Sequence, residues 1–205
     1  MTEQDPLLKY REQHKHRLNY MPWLYWSLKP KNRAWAEAWQ KEYQAYLMQM
    51  ETVEIGENCF ISPLAHIFAE PGRKIVIGDN TFIAADCTLH GPLEIGNEVA
   101  INHHCILDGG RMGIKLHDQV RIAAYCHLYA FDHGIELEQP IYQQSVRSKG
   151  IEIGQDVWLG AHVGVKDGIS IGPHAVVGMN SMVTKNVEKA AIVAGNPAKF
   201  IRYRD

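Results

Sequence analysis

A six-residue period of aliphatic side chains limits what this chain can fold into more than any other feature. The period runs through Ile55, Ile61 and Ile67, then Ile77, Ile83, Leu89, Ile95, Ile101 and Leu107, and then Leu116, Ile122 and Leu128. After a break the phase returns at Ile153, Leu159, Val165, Ile171, Val177 and Val183. A period of six fits neither a helix of 3.6 residues per turn nor a long strand. It suits a short strand and a tight corner, repeated so that each aliphatic side chain points at one axis. Three such sides close one coil. Coils stacked at strand spacing bury the aliphatic columns continuously, with main-chain hydrogen bonds running from coil to coil as in a parallel sheet. The expected fold is mainly β, a parallel β-helix prism over residues 51–205. Glycine after the aliphatic residue at Gly56, Gly78, Gly96, Gly154, Gly160, Gly172 and Gly178 is read as marking its corners.

The same register accounts for all four cysteines. Cys59, Cys87, Cys105 and Cys126 each stand four residues after an aliphatic position, in a slot otherwise held by residues such as Ala65, Thr81, Val99, Val163 and Ser181. Small and β-branched residues suit an inward-facing strand position, so the expectation is four packed, free thiols. No C-x-x-C pair suggests zinc or an oxidising compartment. Three interruptions stand out against this regularity. One holds Glu70, Pro71 and Gly72, another Gly109, Gly110 and Gly113, and the longest runs from about Gly134 to Gly150. A regular prism needs no such extended loop, so the last is a functional pointer.

The first 50 residues are a different material. All 17 glycines lie at Gly56 or later, while four of the five tryptophans and five of the nine tyrosines precede residue 47. Asp5 followed by Pro6 reads as the cap and first turn of a helix, and a second helix is predicted from Pro30 and Asn32 to about residue 50. Trp35, Trp39, Tyr43 and Tyr46 or Leu47 would form one stripe on it. Packing against the prism or a neighbouring subunit is the preferred reading of that stripe, with peripheral membrane contact as its rival. Residues 1–50 carry a formal charge of +3 and the remainder -5, for a total of -2. That balance removes the global electrostatic case for nucleic acid. Neither a signal peptide nor a run of about 18 apolar residues is visible, so a cytoplasmic protein is expected.

Four short motifs sit on this framework: F-D-H-G at Phe131–Gly134, I-G-x-D-V-W-L-G-A at Ile153–Ala161, V-T-K at Val183–Lys185 and A-G-N-P-A-K-F-I-R at Ala194–Arg202. Together with the period they resemble the hexapeptide-repeat acyltransferases, specifically the maltose and galactoside O-acetyltransferases and related polysaccharide O-acetyltransferases. The resemblance implies a left-handed β-helix, a homotrimer with sites between neighbouring prisms, and acetyl-CoA as donor to a small-molecule or glycan acceptor, with no metal required. It places a general base at His133, in keeping with an imidazole that ordinarily titrates near neutral pH. Asn102 would orient acceptor or thioester, and it equally suits a corner. The amide of Ala161 would meet the charge developing on the thioester oxygen. Trp158, Gly160, Met179, Thr184, Lys185, Lys199 and Arg202 match positions around the cofactor. Met179 stands where relatives have a small residue, and His103 and His104 depart from the family pattern.

Asp132 and Asp108 are open to roles in orienting the base or holding acceptor hydroxyls, with a local turn preferred for Asp132. Arg147 would either reach an anionic acceptor or fix the loop. N-acetylation of an amino sugar is the nearest alternative. A γ-carbonic-anhydrase-like zinc hydratase draws on His90, His103, His104, His117, His127 and His133, but its required H-x-x-x-x-H pair is missing. A non-catalytic assembly prism would need neither the loop histidine nor the C-terminal motif.

Overall fold

A computed structural model describes residues 6–205. The cap assigned to Asp5 lies outside the described residues. The aliphatic period becomes three parallel sheets wound from one chain. The first face stacks Val53–Ile55, Ile75–Ile77, Leu93–Ile95, Ile114–Leu116, Ile151–Ile153 and Ser170–Ile171. The second stacks Phe60–Ile61, Phe82–Ile83, Ala100–Ile101, Arg121–Ile122, Trp158–Leu159 and Val176–Val177, and is extended by Ala191–Ala194 and the antiparallel Lys199–Tyr203. The third stacks His66–Phe68, Thr88–His90, Ile106–Asp108, His127–Tyr129, Gly164–Val165 and Met182–Val183. Six coils result, and the aliphatic residues meet in register, as in Ile83 beside Ile101 and Leu89 beside Leu107. All of them are buried except Ile55, which is partly so. Each such side chain contributes about 1.5–3 kcal/mol through burial, so the column is the main source of stability.

The glycines serve the stack differently from the sequence reading. None of the seven that follow an aliphatic residue has a positive φ; the left-handed corner lies two residues later, at Asn58, Asn80, Glu98, Asp156, His162, His174 and Asn180. Those seven are required by close approach between coils. A Cβ on Gly160 would lie 2.7 Å from the Met179 nitrogen, and one on Gly96 would lie 2.8 Å from the Asp118 nitrogen.

The cysteine slot has a chemical role beyond its size. The Sγ of Cys59, Cys87, Cys105 and Cys126 donates to the carbonyl oxygens of Gly78, Asn102, Ala123 and Gly160 in the next coil, at 3.0, 3.0, 3.2 and 3.1 Å. Thr81 makes the same bond to the Gly96 oxygen at 2.9 Å. All four thiols are free and buried. Burial pushes Cys59 up to about 11, and the Cys105 thiol, with burial, raises Cys126 as well. At pH 8 Cys59 and Cys126 stay protonated, all four thiols are sheltered by burial, and the thiolate is the reactive form. No thiol of the native protein should therefore react with an aromatic disulfide reagent at pH 8, whereas all four should react in guanidinium. One rapidly titrating native thiol would contradict this.

Helix α1 (Pro6–Tyr20) and helix α2 (Pro30–Met50) cover the outer side of the second face. Trp35 and Trp39 pack in one apolar cluster with Leu18, Tyr25, Phe60, Phe82 and Ala100, while Tyr43 and Leu47 join the prism core. The aromatic stripe is thus used in packing. Gln40 pairs with both main-chain groups of Ile61, at 3.1 and 2.8 Å, and Gln44 donates to the Cys59 oxygen at 2.9 Å. These side chains satisfy backbone groups of the first coil that no preceding coil can reach. Among the described residues no helix is long and apolar enough to cross a membrane. The helical cover ends at Ala100. Beyond it, Arg121 and Trp158 continue the same outer column in the open.

Candidate active site

The longest interruption folds into a two-stranded excursion from the third face. Asp132 and His133 pair antiparallel with Arg147 and Val146. Inside it, Gln144 donates to the oxygens of Glu136 and Gln139, both at 2.7 Å, and accepts from the Glu136 amide at 3.0 Å. Arg147 pairs with Glu136 within the loop. The hairpin holds His133 exposed, with its ring edge-on to Phe131 at 6.2 Å. Asp132 lies on this hairpin, not on an inward slot, and its Oδ2 is 3.2 Å from Lys166 Nζ.

A cavity of about 400 Å³ lies beside this hairpin on the third face. Tyr129, Phe131, Asp132 and Lys166 line one part, and His162, Asn180, Met182 and Asn196 the other. Gly164 also lines it, packed under the Met182 side chain, where a Cβ would lie 2.6 Å from Met182 Cε. Two wider grooves run along α1, at Leu8 to Arg17 and at Leu7 to Trp35, and contain none of the predicted site residues.

None of His133, Asn102, Ala161, Trp158, Gly160, Met179, Thr184, Lys185, Lys199 and Arg202 lines the cavity itself. Ala161 and Met179 stand on the corner between the second and third faces, directly before His162 and Asn180. Gly160 donates to the Val177 oxygen at 2.8 Å. Among the described residues the Ala161 amide donates to no other group, as is also true of His103, Ala124 and Met179 at the same corner of other coils, whereas in the second coil the Ala85 amide is met by the Asn19 oxygen at 2.7 Å. Thr184 and Lys185 are exposed where the third face ends, two and three residues beyond Met182. Lys199 and Arg202 are exposed on the terminal antiparallel strand, and Trp158 is exposed on the second face. The protomer therefore does not gather the predicted cofactor residues into one cluster. Asn102 donates from Nδ2 to the Ile122 oxygen at 2.9 Å. Asp108 accepts from the Gly110 amide at 3.0 Å and lies 3.3 Å from His90 Nδ1, which ties it to the glycine turn.

A ring stack on the same corner was not anticipated. His104, Tyr125 and His162 lie face to face, with centroids 4.7 and 4.8 Å apart. His104 approaches Asp86, which accepts from the Tyr20 hydroxyl at 3.0 Å. His103 packs edge-on to Tyr20 and Tyr125; burial first, then the neighbouring His104, holds its imidazole below the usual histidine range. The signal for the stack was present in the register, since Asp86, His104, Tyr125, His162 and Asn180 all stand three residues after an aliphatic position of the second face.

Residues 150–185 match the family model described as bacterial transferase hexapeptide (six repeats). The chain is 54% identical over 164 residues to a chloramphenicol acetyltransferase of Agrobacterium fabrum, covering 72% of this chain and 78% of that protein. The chain belongs to the hexapeptide-repeat acyltransferases. Within this family it is also 28% identical over 150 residues to the galactoside O-acetyltransferase of Escherichia coli, covering 72% of this chain and 62% of that one. It spans 58% of the length of a Saccharomyces cerevisiae relative. Among solved structures, a mutant of AntD, an N-acyltransferase from Bacillus cereus in complex with dTDP and coenzyme A, superposes with a TM-score of 0.71 at 28% identity. That match covers 79% of this chain and 90% of the other. The hexapeptide-repeat acyltransferase fold thus spans the prism and its interruptions.

Proposed function

We propose that this chain transfers the acetyl group of acetyl-CoA to a hydroxyl of a sugar, a glycan intermediate or a similarly sized alcohol. The observation that carries the reading is a histidine presented on an internally bonded hairpin beside a cavity, with the Ala161 amide, unbonded among the described residues, directly before the lining residue His162. Thr184, Lys185, Lys199 and Arg202 would offer polar and cationic partners for the phosphates, Trp158, Gly160 and Met179 would flank the cofactor, and Asn102 would orient acceptor or thioester.

In this reading His133 takes the proton of the acceptor hydroxyl as its oxygen attacks the thioester carbonyl carbon. The Ala161 N–H donates to the oxygen on which negative charge develops. When the carbon–sulfur bond breaks, the imidazolium returns the proton to the departing thiolate, giving an ester and free CoA without a covalent enzyme intermediate. The division of the predicted residues between distant parts of one protomer favours a homotrimer in which neighbouring prisms complete each site. Dependence on acetyl-CoA favours a cytoplasmic location. Acyl transfer to an amino sugar is the second reading, motivated by the likeness to an N-acyltransferase.

The test is thiol release from acetyl-CoA over a panel of sugars, sugar nucleotides, amino sugars and chloramphenicol, with mass detection of the product. An O-acetylated product supports the first reading. An N-acetylated product selects the second, and no release with any acceptor overturns both.

A further inference from the structure

The hairpin that carries His133 is stiff within itself, so its aim depends on how its two feet are fixed. The returning foot is held by Asp167, a buried carboxylate that accepts from the Lys149 amide at 2.8 and 3.0 Å and the Gly150 amide at 3.0 Å. Ser148 spans both feet: its hydroxyl donates to the Ala130 oxygen at 2.6 Å and accepts from the amides of Arg111 and Met112, both at 3.0 Å. On the cavity side the outgoing foot is held by the ion pair between Asp132 and Lys166. Lys166 and Asp167 are consecutive. The strand end Gly164–Val165 therefore delivers, in two successive residues, a cation to one foot and a carboxylate to the other.

We propose that Lys166 is a positioning residue for acyl transfer, acting through Asp132 to fix the angle at which the hairpin presents His133 to the cavity. This rests on His133 being the base. Lys166 stands beside Tyr129 in the stack of the third face, next to the point where the hairpin departs. Its ammonium and the Asp132 carboxylate are each about half exposed, 52% and 48%. An exposed pair adds little to global stability. Its effect is instead on geometry, since a misplacement of about 1 Å at a reacting group costs up to about 10²-fold in rate.

The experiment compares wild type with Lys166→Met, Lys166→Arg, Asp132→Asn and the double variant Lys166→Met/Asp132→Asn in steady-state kinetics. Expected is a fall in kcat of about tenfold for Lys166→Met and Asp132→Asn, with KM for acetyl-CoA within about twofold of wild type. Lys166→Arg should restore most of kcat, and the double variant should be no worse than either single one. Amide exchange at His133 and Val146 should accelerate in Lys166→Met while the prism strands stay protected, a readout independent of turnover. A raised KM with unchanged kcat, multiplicative losses in the double variant, or unchanged exchange would each overturn the proposal. Full activity in His133→Ala with accelerated exchange in Lys166→Met would instead overturn the base and leave the anchor standing.

Discussion

Replacing His133 with Ala is expected to lower kcat by about 10²–10⁴-fold, the range typical of losing a positioned general base. The fold should be indifferent to the change. His133 is exposed on the hairpin, its ring lies edge-on to Phe131, and the strand pairing with Val146 uses only main-chain atoms. The thermal midpoint should therefore stay with wild type, and so should the KM for acetyl-CoA, because the cavity walls at His162, Met182 and Asn196 are untouched. Direct binding of CoA by calorimetry checks the second point. A variant with wild-type turnover would remove His133 from the mechanism. A variant with a collapsed midpoint would make it a structural residue.

The loop that carries His133 was legible in the sequence because a prism is nearly one-dimensional, whereas the role of base is what the family resemblance implies. Each rung repeats the same constraint, so the positions of Leu89, Leu107 and Leu128 are fixed by period alone, and a departure from the period announces a loop. The cysteine slot was legible for the same cause, down to burial. Its hydrogen bonds to the next coil were not, because Cys, Thr and Val satisfy the same volume requirement and only coordinates reveal the carbonyl above Cys126. The glycines illustrate the opposite failure. Their spacing was visible, but a tight corner suggests positive φ, whereas the chain places Asn, Asp and His there and reserves glycine for the contact between coils.

Features that depend on contact between remote parts of the chain were less legible. The Lys166–Asp132 pair joins residues 34 apart, and no local pattern distinguishes Lys166 from any other solvated lysine. The ring stack of His104, Tyr125 and His162 lies between these cases: its register was available, yet each residue alone reads as a polar corner. The helical flank shows how a stripe becomes interpretable once its partner is known. Trp35 and Trp39 pack with Phe60 and Phe82, outward positions on the second face that the aliphatic period leaves unassigned.

Ala161→Pro is expected to lower kcat by about 10²–10³-fold while leaving the prism intact, because it deletes one N–H and little else. Proline at a corner would ordinarily be a risk to the backbone, since it fixes φ and restricts the residue before it. The chain itself supplies the precedent. Gly172–Pro173–His174 turns in the same way as Gly160–Ala161–His162, with His174 at φ 64° and His162 at φ 60°. In both, the glycine amide donates to the next coil at 2.8 Å, to the oxygen of Val187 or Val177. In both, the carbonyl of the middle residue accepts at 2.9 Å, from Ala190 or Asn180. Proline at 161 therefore keeps every main-chain bond that Ala161 makes among the described residues and removes the amide that makes none. Ala161→Ser, which retains the N–H, should stay within a few-fold of wild type. Loss of turnover in the proline variant alone, at an unchanged unfolding midpoint and unchanged CoA affinity, would identify the amide as the oxyanion donor; equal turnover in all three proteins would exclude it.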